Sequence, residues 1–269
     1  MLHITLPIAL LIAFAISQVA NLVTTVYLHR ALTHRAMTVH PALDLVFRTT
    51  LWITLGLSRR QWVAVHRKHH IFTDQPEDPH SPFQLGVLKV VFLNAAYYRR
   101  VARADDTVDT YARDIKPDWF DKHVFSHSFC GIGIGLVTMA VLFGPLWALF
   151  IGVTHTAIYI FLGGCVNGLG HHWGRRPNPN SATNQRWLAA LTMGEGLHNN
   201  HHEYPRSASF GRSFWDFGGN LTKVLAKVKL VKVHESTRKL RQSQLDVLQQ
   251  PKAEPAAVVA EPATASVSG

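Results

Sequence analysis

Apolar residues in this chain fall into long blocks, not into the short alternations that mark strands. Residues 2–26 hold no acidic or basic side chain apart from His3. A helix rises about 1.5 Å per residue, so about 20 apolar residues cross a bilayer core, and this block predicts a membrane span. It is too long for a signal peptide, and no basic residue follows Met1. Residues 124–143 and 146–166 are two more such blocks, separated by Gly144-Pro145, a turn signal. Together they predict a tight membrane hairpin. A fourth stretch, residues 41–58, is borderline in length and contains Asp44 and Arg48.

Between the blocks the chain is polar. Residues 83–98 mix apolar positions with Lys89 and end at Arg99-Arg100, the pattern of an interfacial amphipathic helix. Residues 101–122 read as a polar connection and residues 220–233 as a second surface helix. Residues 251–269 are rich in Ala, Pro, Glu, Ser and Val without periodicity and predict a disordered tail. The expectation is an all-α fold: three to four membrane helices capped by a cytoplasmic helical domain. One unit covers residues 1–250, with spans at 2–26, 124–143 and 146–166 and the cap at 27–122 and 167–250.

Charge supports this reading. Only 16% of residues are charged, against about 25% in soluble proteins. The net charge of +10 comes from Lys and Arg flanking the apolar blocks, such as Arg30, Arg59, Arg60, Arg67, Arg99 and Arg175. That is the positive-inside pattern of cytoplasmic loops, and it argues against a nucleic-acid-binding face. Cys130 and Cys165 lack metal-site spacing and read as small core residues.

The candidate chemistry lies in the histidines. Nine of the 17 fall in four clusters: His29 and His34; His66, His69 and His70; His171, four residues after Asn167; and His198, His201 and His202. Neutral imidazole is a good ligand for iron, copper or zinc. Nine donors exceed what one ion takes, about six, and suit two. Positions i, i+3 and i+4 share one helix face, so both HxxHH clusters present their rings in one direction. His29 and His34, at i and i+5, stand about 140° apart on an α-helix and would approach a centre from two sides or at a helix end. Spacing from Asn167 favours His171 over His172. His40, His80, His123 and His234 fit no cluster and read as surface residues; His127 reads as interfacial. Within the last span, Thr154 and His155 read as hydrogen-bonding partners of a neighbouring helix.

The clusters also constrain the topology. If residues 41–58 crossed the membrane, the first two clusters would lie on opposite faces. They are therefore read as a buried or in-plane helix on the cytoplasmic side, leaving three spans, Met1 outside and every cluster inside. Asp74, Asp78, Glu195 and Glu203 stand near the clusters, where carboxylates can hold a ligand's second ring nitrogen. A structural zinc site uses four ligands and usually Cys, and proton pumping calls for carboxylates inside the spans; neither fits. Two irons held by imidazoles beside a bilayer suit O2 activation on an apolar substrate.

The ordered set HRALTH, HRKHH followed by Asp78-Pro79-His80, NGLGHHWGRRP and GEGLHNNHHEYP resembles the membrane-bound fatty acyl desaturases of the stearoyl-CoA (Δ9) group, over roughly residues 15–215. The resemblance implies a bacterial inner-membrane enzyme with its active site on the cytoplasmic side. The substrate would be a fatty acyl chain, carried as acyl-CoA or phospholipid. It implies two iron ions on the nine clustered histidines, Asn167 acting through water, O2 as co-substrate, and no catalytic group beyond the diiron ligands. Trp62 matches a tryptophan lining the acyl tunnel; Gln61 and Trp173 are further tunnel candidates. Better-studied members carry an extra N-terminal span. No cytochrome b5-like domain or dinucleotide fingerprint is present, so electrons would come from a separate carrier such as a ferredoxin or a cytochrome b5-type protein. The glycines at 131, 133 and 135 read as helix packing, not a nucleotide loop. Competing functions are a related diiron hydroxylase or fatty-acid decarboxylase, and a non-enzymatic metal transporter or sensor.

Overall fold

Helix α1 (Leu6–Val23) starts with proline in its first turn and passes without a break into a π-helical segment (Thr24–Thr33). This computed structural model describes residues 2–104 and 106–235, and the expected tail at 251–269 lies outside them. The chain is mostly helical. After strand β1 (Met37–Val39) come helices α2 (Pro41–Leu55), α3 (Arg59–Ile71), α4 (Pro82–Leu85), α5 (Val87–Ala102) and α6 (Thr107–Tyr111). A short π-helical turn (Asp121–Phe125) leads to α7 (Ser128–Phe143), α8 (Pro145–His172), α9 (Arg186–Leu191), α10 (His198–Glu203), α11 (Phe217–Lys227) and strand β2 (Val231–Val233).

Among the described residues two helices are long and apolar enough to cross a membrane, Leu6–Thr33 and Pro145–His172, each of 28 residues. The third expected span is represented by α7, whose 16 residues fall short of the usual span of about 20. Gly144, at φ 93°, turns the chain from α7 into α8, so the predicted hairpin is present. The expectation of an all-α fold needs one amendment. Met37–Val39 and Val231–Val233 form a two-stranded antiparallel sheet, Met37 opposite Val233. Three-residue strands are too short to register as a periodic signal.

Small residues let the long helices approach closely. Ala9 and Ala13 of α1 pack with Ile151 of α8. At Gly164 of α8 an added Cβ would collide with the Val91 carbonyl of α5. Gly131 and Gly135 seat α7 against Trp52 and Ile53 of α2, whereas Gly133 faces open space. Helix packing thus accounts for two of those three glycines.

The charges inside the 41–58 stretch have partners. Arg48 of α2, 7% exposed, reaches Asp118 at 2.6 Å, Asp121 at 2.8 Å and Asp44 at 3.3 Å. Arg67 of α3 donates to the carbonyls of Leu32 (2.8 Å), Thr33 (3.0 Å) and Tyr111 (2.9 Å) and to Asp114. This one guanidinium ties α3 to the end of the π-helical segment and so sets two histidine clusters side by side. Cys165 is buried as expected; Cys130 is exposed, because α7 turns that position away from α2 and α8.

Candidate metal centre

The π-helical segment decides how the first cluster presents itself. Its hydrogen bonds run from residue i+5 to i, and the His34 amide donates to the His29 carbonyl at 3.1 Å. Positions five apart, splayed on an α-helix, here lie over one another, with ring centroids 5.0 Å apart. Of the two expected arrangements, approach from two sides or at a helix end, the second is present: His34 caps the end of the segment, and both rings join the first group.

The nine clustered histidines converge and sort into two groups. His29, His34, His66, His70 and His201 form one; His69, His171, His198 and His202 form the other. Helices α3 and α10 each contribute to both. In α3 the i, i+4 pair His66 and His70 joins the first group while His69 joins the second; in α10 His201 joins the first while His198 and His202 join the second. His172, next to His171, is exposed.

These donors fit metal ions. In the first group, Nε2 of His201 lies 2.9 Å from that of His29 and 2.9 Å from that of His70, which is 3.1 Å from that of His66. In the second, Nε2 of His198 lies 3.0 Å from that of His171 and 3.1 Å from that of His202. Metal–imidazole bonds of about 2.1 Å at right angles place neighbouring nitrogens about 3.0 Å apart. Nε2 of His34 is buried within the first group without a hydrogen-bond partner, a costly arrangement unless it has a ligand role. Burial, reinforced by the charge each ring would meet on its neighbours, pushes His34, His66, His70, His198, His201 and His202 well below the usual imidazole range. They are neutral donors, the form a metal requires.

Carboxylates hold the far side of three rings. Nδ1 of His69 donates to Asp78 at 3.0 Å, and Nδ1 of His171 to Asp74 at 3.0 Å. Glu195 Oε2 makes an ion-pair contact with Nδ1 of His29 at 2.6 Å. A ring that donates from Nδ1 leaves the Nε2 lone pair facing the cluster. Burial alone would raise the Asp78 carboxyl, but the His69 ring and the His80 amide hold it well below the usual carboxylate range. Asp74 stands at φ 61°, a left-handed conformation that Asp tolerates, and also accepts from Ser181. Glu203 accepts from Asn180 at 3.4 Å. Asp78→Asn is expected to weaken metal binding about 10- to 100-fold, read by competition with a chelator. Unchanged affinity would show that the carboxylate does not orient His69.

Sequence reasoning missed several neighbours. His80, expected at the surface, is 3% exposed and packs on the His69 ring with centroids 4.6 Å apart. The turn at residues 72–81 folds it back over α3, and burial next to His69 pushes its pKa down to about 3. Arg30, wholly buried, is held by Asp216 (2.8 Å), Glu195 (3.3 Å) and the Ala208 carbonyl (3.1 Å). Asn94 accepts from the Asn167 amide at 2.9 Å. None of these stands at a spacing that would single it out. His40, His123 and His234 are exposed, as expected; His127, read as interfacial, is also exposed.

A cavity of about 250 Å³ reaches the centre, walled by Trp62, His66, His198 and Asn167 at one end and by Asn21, Leu55 and Thr156 at the other. Trp62 stacks on His66 with centroids 4.9 Å apart. Gln61 instead borders a separate, charged cavity of about 350 Å³ beside Arg48, Arg59 and Asp121. Trp173 is 65% exposed, because α8 ends at His172 and the chain turns outward.

In sequence the chain is similar to known proteins. The family model described as "Fatty acid desaturase" matches residues 4–218, and the chain belongs to that family. It is 30% identical over 216 residues to "Delta-9 acyl-lipid desaturase 2" of Arabidopsis thaliana, covering 77% of this chain and 67% of that protein. It is 31% identical over 202 residues to "Acyl-CoA C20 Delta5-desaturase" of Anemone leveillei (71% of this chain, 62% of that protein). It is 28% identical over 203 residues to "sn-1 stearoyl-lipid 9-desaturase" of Synechocystis sp. (71% and 60%). The chain thus spans about two thirds of the length of these relatives.

Proposed function

We propose that this protein desaturates a fatty acyl chain, carried on a lipid or on CoA, at or near the Δ9 position. The observation that carries the reading is the pair of histidine groups standing at one end of a cavity in a chain with two membrane-length helices. The ligands would be His29, His34, His66, His70 and His201 for one iron and His69, His171, His198 and His202 for the other, with Asn167 close by. Bound there, two irons supply the oxidising chemistry that no side chain has, using O2 as co-substrate. The balance is one CH2–CH2 unit, O2, two electrons and two protons giving one CH=CH unit and two waters.

The chain's own residues do the rest. The walls of the cavity would hold the acyl chain beside the centre. Trp62 fixes the His66 ring by stacking. Asp78, Asp74 and Glu195 keep His69, His171 and His29 oriented. Two electrons would come from an external acidic carrier, a ferredoxin or cytochrome b5-type protein, attracted by the chain's excess of basic residues. Helices α1 and α8 both run towards the centre, which supports Met1 and the centre lying on opposite membrane faces; the excess of Lys and Arg near the clusters favours the cytoplasmic face for the centre, in a bacterial inner membrane. α7 would make the third span, within one unit covering residues 1–250.

Expression in a host, followed by gas chromatography–mass spectrometry of its lipids with the double bond located, tests the reading. A new monounsaturated acid is expected. A hydroxylated or chain-shortened product would instead mark a related hydroxylase or decarboxylase. Bound zinc without O2 consumption would point to a transporter or sensor.

A further inference from the structure

Four polar side chains on the cavity wall have no part in the chemistry above. Asn94, Tyr98 and Arg99 of α5 line the cavity, and so does His80 of the turn before α4, beside Asn167 of α8. Positions i and i+4 share one helix face, a turn apart, so Asn94 and Tyr98 stand in line along α5. The line begins at the surface, where Arg99 is exposed. It ends at Asn167, whose amide donates to Asn94 at 2.9 Å. Between these ends Tyr98 packs on Val65, the residue before His66 in α3. One row of side chains thus leads from solvent to the edge of the metal centre.

The row is short of hydrogen-bond partners. The Tyr98 hydroxyl and both ring nitrogens of His80 are buried with none among the described residues, and His80 is only 3% exposed. A neutral imidazole has one hydrogen to give and one lone pair to fill, and a phenol does both at one oxygen. Buried polar groups are almost always satisfied. An alkyl chain satisfies none of these, whereas water satisfies each. The cavity, of about 250 Å³, is roomy and polar enough along this wall to hold water. Leu55, Leu57, Ile160 and Val166 supply apolar surface for a chain in the same cavity.

We propose that Arg99, Tyr98, Asn94 and Asn167 hold a file of water along the α5 wall, and that this file carries protons from solution to the buried centre. The proposal rests on the desaturase reading for what consumes the protons, two for each double bond, but not for the water itself. Each hop breaks one O–H bond and makes another. The Tyr98 hydroxyl gives its hydrogen to water on the inner side and takes one from water on the outer side, so it ends as it began. Asn94 transfers nothing; it holds Asn167 and the inner water in place. Removing the hydroxyl but keeping the ring breaks the file. The expected slowing is about ten-fold, less than the 10²–10⁴-fold that a positioned proton donor contributes, because water can partly close the gap.

The experiment uses the full-length protein and the variants Tyr98→Phe, Tyr98→Ser and Asn94→Leu. A crystal structure of the zinc-loaded protein is expected to show water within hydrogen-bond distance of the Tyr98 hydroxyl and of Asn94. Iron-loaded protein, reduced with dithionite, is then mixed with O2 in H2O and in D2O without substrate. Reoxidation by two electrons and two protons, giving H2O2, is followed by absorbance and compared per bound iron. Tyr98→Phe and Asn94→Leu are expected to slow it about ten-fold and to enlarge the solvent isotope effect. Tyr98→Ser, which leaves room for a further water, is expected to keep most of the original rate. A packing role for the ring predicts the reverse order, so a Tyr98→Ser protein slower than Tyr98→Phe overturns the proposal. Unchanged rates and isotope effects in Tyr98→Phe and Asn94→Leu overturn it too, as does a zinc-loaded structure with no water at Tyr98. If the water and the isotope effects are as expected but an expressing strain forms no double bond, the file stands and the desaturase reading falls.

Discussion

His201→Ala protein is expected to insert in the membrane normally, lose iron and form about 100-fold less double bond, or none. His201 is wholly buried, and its Nε2 stands 2.9 Å from those of both His29 and His70. It therefore joins the ligands contributed by the π-helical segment to those contributed by α3. Mutating groups one step removed from a metal commonly costs 10- to 100-fold in affinity or activity, so removing a direct donor should cost at least about the upper end of that range. His69→Ala should do the same through the second group. His172→Ala, whose ring is exposed, should leave iron content and product unchanged. Iron per protein, membrane insertion and product yield are measured together. A His201→Ala protein that kept its iron and its product would refute the ligand assignment.

Arg30→Met is expected to lower thermal stability sharply. Both Arg30 and Asp216 are 0% exposed, so the variant strands a carboxylate in the interior, at a cost of about 3–5 kcal/mol. For a chain of this size that lowers the unfolding midpoint by about 10 °C or more. Asp216 also caps α11 through the Gly219 amide (2.9 Å) and accepts from the Phe210 amide (2.7 Å), so the strain spreads to the segment carrying α11. The Arg30 guanidinium sits 3.6 Å over the Phe210 ring, which packs on His201 with centroids 4.6 Å apart. Iron affinity should therefore fall with stability. The double variant Arg30→Met/Asp216→Asn is expected to recover part of the loss, because no buried charge is then left alone. Arg206→Met breaks a surface pair with Glu235 and should change stability by less than about 1 kcal/mol. Equal midpoints for Arg30→Met and Arg206→Met would rule out the buried-pair account.

Much of the site is legible locally. The i, i+3, i+4 spacing in α3 and α10 comes from the helix period alone, and so does the choice of His171 by its distance from Asn167. Asp78 is close enough in sequence to His69 to be expected as its partner, whereas Asp74 beside the same cluster holds His171, 97 residues away. What local spacing leaves open is the His29/His34 pair, because the chain there is π-helical and brings rings five residues apart over one another at the helix end. His80 is misplaced for a related reason. Nothing in Asp78-Pro79-His80 says that the turn folds back onto His69. Arg30 and Asp216 are 186 residues apart, beyond any local pattern.

By itself the sequence determined the helices, the membrane-length blocks, the number of imidazole donors and the family, since each follows from residue type at short periodic spacing. Only the tertiary structure decided how nine rings divide into five and four and which carboxylate holds which ring. The division arises because α3 and α10 face each other across the centre, so each HxxHH helix offers its i, i+4 pair to one group and its remaining ring to the other. That crossing is set by contacts distant in the chain, Arg67 to Leu32 and Thr33 and Arg30 to Asp216, and no local period encodes them.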